Sequence, residues 1–209
     1  MKLYSMSNTC ALSVHIELEW TGEEFEVELM ARGDNRKQAY LIIHSRAQAP
    51  KVVLDNDTVL TEAAAILTWL IDAYLEAGLG ATITKPLQRF KIAEAMSYLT
   101  GDVHLAFGPF FGPDRYSADE TQYLALRTKS LEQVAAHISE LNRMLGYRPY
   151  ILAERSVLNA YLYVLTRWAD YLPNGIRPYP NLESFRVRME SDDAVQRALK
   201  TQKLKPLSG

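Results

Sequence analysis

Residues 48–72, which read QAPKVVLDNDTVLTEAAAILTWLID, decide the fold of this chain. Two short apolar runs, at residues 52–54 and 58–60, flank a polar turn at residues 55–57, and this pattern predicts a β-hairpin. Thr61 then stands where it can cap a helix. The predicted core face of that helix consists of Leu67, Leu70, Ile71, Tyr74 and Leu75. The stretch is therefore expected to form a β-β-α unit.

The residues upstream add a strand, a helix and another strand. Lys2 to Tyr4 favours a β-strand, and the capping residues at 7–9 precede apolar side chains that recur at helical spacing as far as Trp20. Thr21-Gly22 ends this helix, and residues 24–29 then alternate between charged and apolar side chains, as a half-buried strand does. With a short helical or irregular piece near Tyr40, the first part of the chain is predicted to be an α/β unit.

The composition changes after residue 77, where two glycines, two threonines and Pro86 follow one another closely. We therefore predict a first domain over residues 1–77, a linker over residues 78–85 and a second domain over residues 86–209. Apolar side chains recur at helical spacing throughout the second domain. Its predicted helices span residues 92–106, 124–145, 158–172, 182–189 and 193–200. The expected fold class is a small α/β domain followed by an all-α domain.

The chain has 209 residues, with 25 acidic and 23 basic side chains, a formal net charge of −2 and 48% hydrophobic residues. This ordinary globular composition gives no electrostatic reason to expect nucleic acid or an anionic membrane as a partner. We find no signal segment and no uncharged apolar stretch of about 20 residues, so we expect a cytoplasmic protein. The single cysteine excludes an intrachain disulfide. It also excludes a multi-cysteine metal site, and no metal is expected.

Cys10 is the residue whose chemistry the composition leaves open. It follows the capping residues, so the sequence places it at or just inside the N-terminus of a helix. Unpaired amide N–H groups and the helix dipole stabilise a thiolate at such a position, and we expect a lowered pKa there. The alternative is a small buried hydrophobic side chain, which is what most cysteines of cytosolic proteins are.

Three other residues allow both a functional and a structural interpretation. Pro50 precedes a strand. A cis bond there would turn the Ala49 backbone toward a peptide-like ligand, although a plain turn proline is the commoner case. Glu62 could pair with a ligand ammonium while the N–H of Ala63 holds a carboxylate, or it could only complement the helix dipole. His104 lies among apolar residues, where a histidine is usually a packing residue.

Four segments carry a family resemblance that runs over nearly the whole chain. They are MKLYSMSNTCALSVHIELEWTG at residues 1–22, the stretch at residues 48–72, LQRFKIAEAMSYLTGDVHLAFGPFF at 87–111 and ERSVLNAYLYVLTRW at 154–168. In this order they resemble the cytosolic glutathione S-transferases and, within that family, the bacterial beta class. The resemblance implies a thioredoxin-like N-terminal domain, an all-helical C-terminal domain and a homodimer.

The resemblance also implies a set of site residues. Cys10 lies beside the glutathione sulfur in this interpretation, and His104 approaches the same sulfur from the second domain. Glu62 and Ala63 take the γ-glutamyl end, and Ser97 reaches toward the ligand of the partner subunit. The full set of implied glutathione-binding residues is Arg32, Gln48, Ala49, Pro50 as a cis proline, Glu62, Ala63 and Ser97.

The implied activity is transfer of glutathione, a co-substrate used without a further cofactor, to small hydrophobic electrophiles. Candidates for an apolar wall around the electrophile are Gly108, Pro109, Phe110, Phe111, Tyr116 and Trp168. Two alternatives stay open. Cys10 could form a mixed disulfide with glutathione and exchange it, with a second glutathione molecule as the resolving thiol. The chain could also be a non-catalytic binding protein, which the unusual loop at residues 44–47 favours.

Overall fold

The structure is a computed structural model, and it describes residues 1–42, 45–80, 85–152 and 154–208. The strands within these ranges are β1 (Lys2–Met6), β2 (Glu26–Met30), β3 (Lys51–Val53) and β4 (Val59–Thr61). The α-helices are α1 (Ala11–Thr21), α2 (Gln38–Leu41), α3 (Ala63–Ala73), α4 (Pro86–Ser97), α5 (His104–Ala106), α6 (Gly108–Phe111), α7 (Tyr123–Leu145), α8 (Val157–Trp168), α9 (Pro180–Glu190) and α10 (Asp193–Thr201). The predicted α/β unit followed by helices is therefore confirmed.

The four strands form one sheet in the order β2-β1-β3-β4. β1 runs parallel to β2 and antiparallel to β3, with Leu3 opposite Val52, and β3 pairs with β4 in the predicted hairpin. Leu3 and Val52 are fully buried and share one hydrophobic core with apolar residues of α1 and α3. This sheet with its helices is the thioredoxin-like half that the resemblance implies.

The start of α3 differs from the capping prediction. Thr61 lies in β4, so Glu62 occupies the N-cap position, with a φ of 67° and no hydrogen bond from its side chain to the helix. The chain passes from strand to helix within this one residue, whose carbonyl accepts the N–H of Ile66 at 2.9 Å. The prediction that Leu75 faces the core is also wrong, because α3 ends at Ala73 and leaves Leu75 exposed in a turn.

The second half of the chain consists of helices that pack around α8. α4 continues through a π-helical stretch at Tyr98–Val103 into α5, so residues 86–106 form one long helical segment. α8 is buried along its whole length and packs against α1, α3, α4 and α9. Because α1 also packs against α10, the sheet half and the helical half share a single core.

Some sequence predictions fall partly outside the described residues. Residues 81–84 of the predicted linker and residue 44 of the unusual loop are among them. The division into domains at residues 77 and 86 stays a prediction. No helix within the described ranges is both long enough and apolar enough to cross a membrane.

Candidate functional site

A cleft of about 1060 Å³ lies between the sheet half and the helical half. It brings together eight of the nine predicted site residues, which are Cys10, Arg32, Gln48, Ala49, Pro50, Glu62, Ala63 and His104. The ninth, Ser97, is exposed on α4, one turn before Thr100, which does line the cleft. The eight residues come from separate parts of the chain, so the fold itself assembles them.

The turn between β1 and α1 places Cys10 at the N-cap of the helix. Thr9 satisfies the first helical amides, because its hydroxyl accepts the N–H of Ala11 at 3.3 Å and its carbonyl accepts that of Leu12 at 3.1 Å. The N–H of Ser13 bonds to the Cys10 carbonyl at 3.0 Å. The amides of residues 11–13, which could stabilise a thiolate at this helix N-terminus, therefore already have acceptors.

Cys10 differs from the sequence prediction in its acidity. Its sulfur lies 3.8 Å from the carbonyl oxygen of Ala49, which accepts the thiol hydrogen. Burial raises the pKa of the Cys10 thiol to about 12, its own backbone N–H opposes this rise, and the carboxylate of Glu62 adds to it. The expectation of a lowered pKa is therefore wrong, and the thiol is protonated at neutral pH.

The hydroxyl groups next to Cys10 already donate to main-chain carbonyls. Ser7 donates to the carbonyl of Gln202 at 2.7 Å, and Thr9 donates to that of Met6 at 2.8 Å. Because a hydroxyl has one proton to donate, neither group can serve a ligand sulfur without giving up its present bond. The hydrogen bond from the Cys10 thiol to its carbonyl acceptor is long. The thiol can therefore exchange this bond for one to a ligand at a smaller loss of bonding energy than the two hydroxyls.

Three successive carbonyls in the segment before β3 accept hydrogen bonds from side chains, which hold this segment in place. Asn35 and Tyr40 donate bonds of 2.5 Å to the carbonyls of Ala47 and Gln48, respectively, and the next carbonyl accepts the cysteine thiol. The following peptide bond, to Pro50, is cis, as the resemblance implies. The sequence does not predict the roles of Asn35 and Tyr40, because no motif links a short turn or the helix α2 to the entrance of β3.

Glu62 lines the cleft at the start of α3. Its carboxylate forms a 2.9 Å ion pair with Arg46, and both side chains are more than half exposed. Arg46 also donates to the hydroxyl of Thr61 at 3.2 Å. Ala63 and Ala64 line the cleft, and their amides, in the first helical turn, have no intrahelical acceptor. This helix end therefore offers N–H groups to an anion beside a carboxylate that can accept a cation.

His104 lines the cleft from α5 and is held in place by α8. Its Nδ1 lies 2.5 Å from the hydroxyl oxygen of Tyr161, and its ring meets that of Trp168 edge-on, with 4.8 Å between the centroids. Burial lowers the pKa of His104 to about 4, so the ring is neutral at physiological pH. Tyr161 lies within the predicted helix over residues 158–172, but helical spacing indicates burial only and does not predict its role at the cleft.

Aromatic side chains form one wall of the cleft. The ring of Phe111 lies 5.2 Å from that of Trp168 and 5.6 Å from that of Tyr171, and all three residues line the cleft. The indole N–H of Trp168 donates to the carbonyl of Asn8 at 3.0 Å, which ties this wall to the turn before α1. Phe111 and Trp168 thus line the cleft as predicted, whereas Pro109 and Tyr116 line a separate depression, and Gly108 and Phe110 line neither.

The charges of the cleft favour an anionic ligand. Among the described lining residues the ionic side chains are Arg32, Arg115 and Glu62, which leaves one positive charge in excess. An excess of this sign attracts a ligand that carries more negative than positive groups. Arg115 was missed from the sequence because it lies in a short turn after α6 with no motif around it.

Comparison with known proteins agrees with this geometry. Residues 9–73 match a family model described as glutathione S-transferase, N-terminal domain. The glutathione S-transferase GstA of Escherichia coli O157:H7 is 29% identical over 209 residues, which cover 98% of this chain and 100% of that protein.

Two solved structures extend the similarity to the whole fold. A sphingomonad glutathione S-transferase in complex with glutathione is 28% identical, with a TM-score of 0.85 over 98% of this chain and 100% of that one. The bacterial beta class glutathione S-transferase of Sphingomonas chungbukensis is 26% identical, with the same TM-score and the same coverage of both chains.

Proposed function

We propose, from the premise that this chain belongs to the glutathione S-transferase family, that it conjugates the thiolate of glutathione to small hydrophobic electrophiles. The observation that carries the proposal is the composition of the cleft. A polar edge suited to a peptide meets an aromatic wall suited to an apolar substrate, and Cys10 and His104 line the same cleft.

The polar edge matches the chemistry of glutathione, a peptide with two carboxylates and one ammonium. The free amides at the start of α3 and the guanidinium of Arg32 are suited to the carboxylates. Glu62 is suited to the ammonium, and the main chain of Gln48 and Ala49 is suited to the peptide groups in the manner of an added strand. Glutathione enters as a co-substrate, and the proposal needs no resident cofactor.

The protonated thiol of Cys10 serves this reaction as a hydrogen-bond donor to the glutathione sulfur. We assign the hydroxyl of Tyr161 as the donor to Nδ1 of His104, which puts the ring proton on Nε2 and supplies a second donor. Both bonds favour the thiolate over the thiol of glutathione. The sulfur then gives its electron pair to the electrophilic carbon. With an aryl halide, the halide leaves with the bonding pair, and the thiol proton passes to solvent.

The thiol–disulfide alternative is less well supported. It requires attack by a Cys10 thiolate, and burial of this thiol opposes ionisation in the free protein. The non-catalytic alternative uses the same glutathione-binding site as the proposal. It differs in predicting glutathione affinity without turnover. We therefore retain the transferase as the single proposed function, with activity in the cytoplasm.

A homodimer is part of the proposal. Leu87 and Phe90 of α4 are both more than half exposed, which is unusual for large apolar side chains so close together on one helix. A second copy covering this face would also give Ser97, farther along α4, a neighbouring ligand to reach. Light scattering of the purified protein measures the mass in solution, and a monomeric mass for the wild type would contradict the dimer.

The proposed function is tested by following conjugation of an activated aryl halide with wild type, Glu62→Ala and Glu183→Ala, and by titrating each with glutathione in a calorimeter. Glu183 is exposed on α9 and away from the cleft, so its variant controls for loss of a surface carboxylate. We expect activity and binding in the wild type and in Glu183→Ala, with weaker glutathione binding in Glu62→Ala. A wild type without turnover and without glutathione binding would contradict the proposal.

A further inference from the structure

Lys51 is fully buried directly after the cis proline, at the first position of β3. Its ammonium nitrogen has no hydrogen-bond partner within the described part of the chain. Removing an ammonium group from water without returning its hydrogen bonds costs free energy, and an apolar side chain of the same length avoids that cost. The presence of a lysine here therefore calls for a role other than packing.

Two aromatic rings surround this ammonium. The nitrogen lies 3.7 Å from the centroid of the Tyr4 ring and 4.1 Å from that of the Tyr40 ring. Tyr4 stands opposite Lys51 in the pairing of β1 with β3, and Tyr40 belongs to α2. A desolvated cation is attracted to the faces of both rings. Lys51 therefore attaches α2 to the sheet.

Burial lowers the pKa of Lys51 to about 8, an effect that the neighbouring carboxylate of Glu28 opposes and that the ammonium of Lys2 adds to. The side chain therefore keeps its charge at neutral pH, and the attraction to the two rings operates under physiological conditions.

The attachment reaches the cleft through Tyr40. Its hydroxyl donates a 2.5 Å bond to the carbonyl of Gln48, two residues before the cis proline. The position of the Tyr40 ring thus sets the position of that carbonyl and of the main chain that follows it. This main chain is the part of the polar edge assigned above to the peptide groups of glutathione.

We propose that Lys51 is a positioning residue for glutathione binding, which acts by holding the Tyr40 ring so that its hydroxyl fixes the main chain at Gln48 and Ala49. The proposal rests on the proposed function for the identity of the ligand. It assigns to Lys51 no contact with glutathione and no part in the chemical step.

The first test replaces the charge and keeps the length, with Lys51→Met. Glutathione affinity is measured by calorimetry at pH 7, the turnover number at saturating glutathione, and stability by thermal unfolding. We expect about fivefold to tenfold weaker glutathione binding, because a desolvated cation–π contact is lost. The turnover number stays within about twofold and stability is unchanged or higher. A purely structural role would instead lower stability together with affinity.

The matched control is Lys2→Met. The Lys2 ammonium also lies over the Tyr4 ring, at 5.2 Å, but it is paired with Glu28 at 2.7 Å. This variant removes a lysine from the same face of the sheet and leaves the attachment of α2 intact. We expect its glutathione affinity to equal that of the wild type.

The second test is Tyr40→Phe, which keeps the ring and the lysine charge and removes only the hydroxyl. We expect the same loss of affinity as in Lys51→Met, and no further loss in the double variant, because the two residues act in series. Wild-type affinity in a folded Lys51→Met or in Tyr40→Phe would overturn the proposal. If the wild type itself binds no glutathione, the proposed function fails first, and the two failures are thereby distinguished.

Discussion

The hydroxyl of Tyr161 lies 2.5 Å from Nδ1 of His104, so a buried residue of α8 orients the one histidine that lines the described cleft. Burial lowers the pKa of His104 to about 4 and raises the pKa of Tyr161 far above its ordinary value. Both groups are therefore neutral at physiological pH. In the tautomer assigned above, the tyrosine donates to Nδ1 and the ring proton is on Nε2, where it can meet a ligand sulfur.

Replacing Tyr161 by phenylalanine should weaken catalysis more than binding. Without the hydroxyl, the imidazole of His104 loses its tautomer preference and its orientation, while the polar edge of the cleft is unchanged. We expect kcat/KM for conjugation to fall by about tenfold, with glutathione affinity within about twofold of wild type. Steady-state kinetics and calorimetry measure the two effects.

Tyr163→Phe provides the control for this prediction. Tyr163 is equally buried on α8, but its hydroxyl donates to Glu190 at 2.8 Å, away from the cleft. Loss of this bond should lower stability by about 1 kcal/mol and leave kcat/KM unchanged. Equal losses of activity in the two variants would show that α8 is merely sensitive to lost hydroxyls.

The raised pKa of Cys10 predicts slow alkylation in the native state. With a pKa of about 12, the thiolate fraction at pH 8 is about a thousandfold below that of an ordinary cysteine. The native rate with iodoacetamide, followed by mass spectrometry, should rise about tenfold per pH unit from pH 7 to pH 9.5 without a plateau. The urea-unfolded chain provides the reference rate. A native plateau near pH 7 would indicate an activated thiolate, since steric protection alone does not change this slope.

The parts of the fold that follow from local patterns could be predicted. The hairpin at residues 52–60 and the helix after it follow from short-range alternation and spacing, which is why both were found within about two residues of their bounds. The predicted start of α3 is wrong because threonine is a favoured N-cap residue, so the sequence alone places Thr61 at the cap. Only the pairing of β4 shows that its backbone belongs to the sheet.

The site could be predicted as a set of residues but not as an environment. Cys10 was placed correctly at a helix N-terminus, yet its acidity depends on burial and on amides that Thr9 already satisfies. Tyr40 and Tyr161 carry no motif, because their roles arise from tertiary contacts, that of Tyr40 with Gln48 and that of Tyr161 with His104. Electrostatics of this kind depend on tertiary contacts, which a linear pattern does not contain.

Acid should destabilise the protein through its buried histidines. Burial lowers the pKa of His15 to about 4, and the groups facing this ring are the amide of Gln202 at 3.1 Å, the carboxylate of Glu19 at 3.7 Å and the ring of Phe25. As the pH falls from about 6.5 toward 4, the unfolded state binds a proton that the native state does not. The free energy of unfolding therefore falls. For His15 we expect a loss of about 2 kcal/mol between pH 7.5 and pH 5.

Urea unfolding of wild type and His15→Gln at these two pH values measures this contribution. Glutamine cannot titrate, so the variant should lose about 2 kcal/mol less than the wild type over the same pH interval, whatever its stability at pH 7.5. The remaining loss belongs to His104 and other groups. Identical losses in the two proteins would mean that His15 takes up its proton in the native state as easily as in the unfolded one.

Glu62 should show a conflict between stability and binding. Its φ of 67° lies in a region that side chains other than glycine rarely adopt, and this conformation costs about 1 kcal/mol. Glycine adopts it without strain, whereas the exposed ion pair with Arg46 contributes little to stability. In Glu62→Gly we therefore expect a free energy of unfolding that is equal to or up to about 1 kcal/mol above that of the wild type. Glutathione affinity should fall by about tenfold, because the carboxylate for the ligand ammonium is gone.

Glu62→Gln separates the two effects, because it removes the same charge and keeps the strained backbone. It should bind glutathione as weakly as Glu62→Gly but show no gain in the free energy of unfolding measured in urea. A glycine variant that is less stable than the glutamine variant would mean that the conformation at residue 62 costs the protein nothing. Wild-type affinity in both variants would remove Glu62 from the site. Stability and affinity together therefore decide whether the protein keeps a strained conformation at residue 62 because the Glu62 carboxylate binds the ligand.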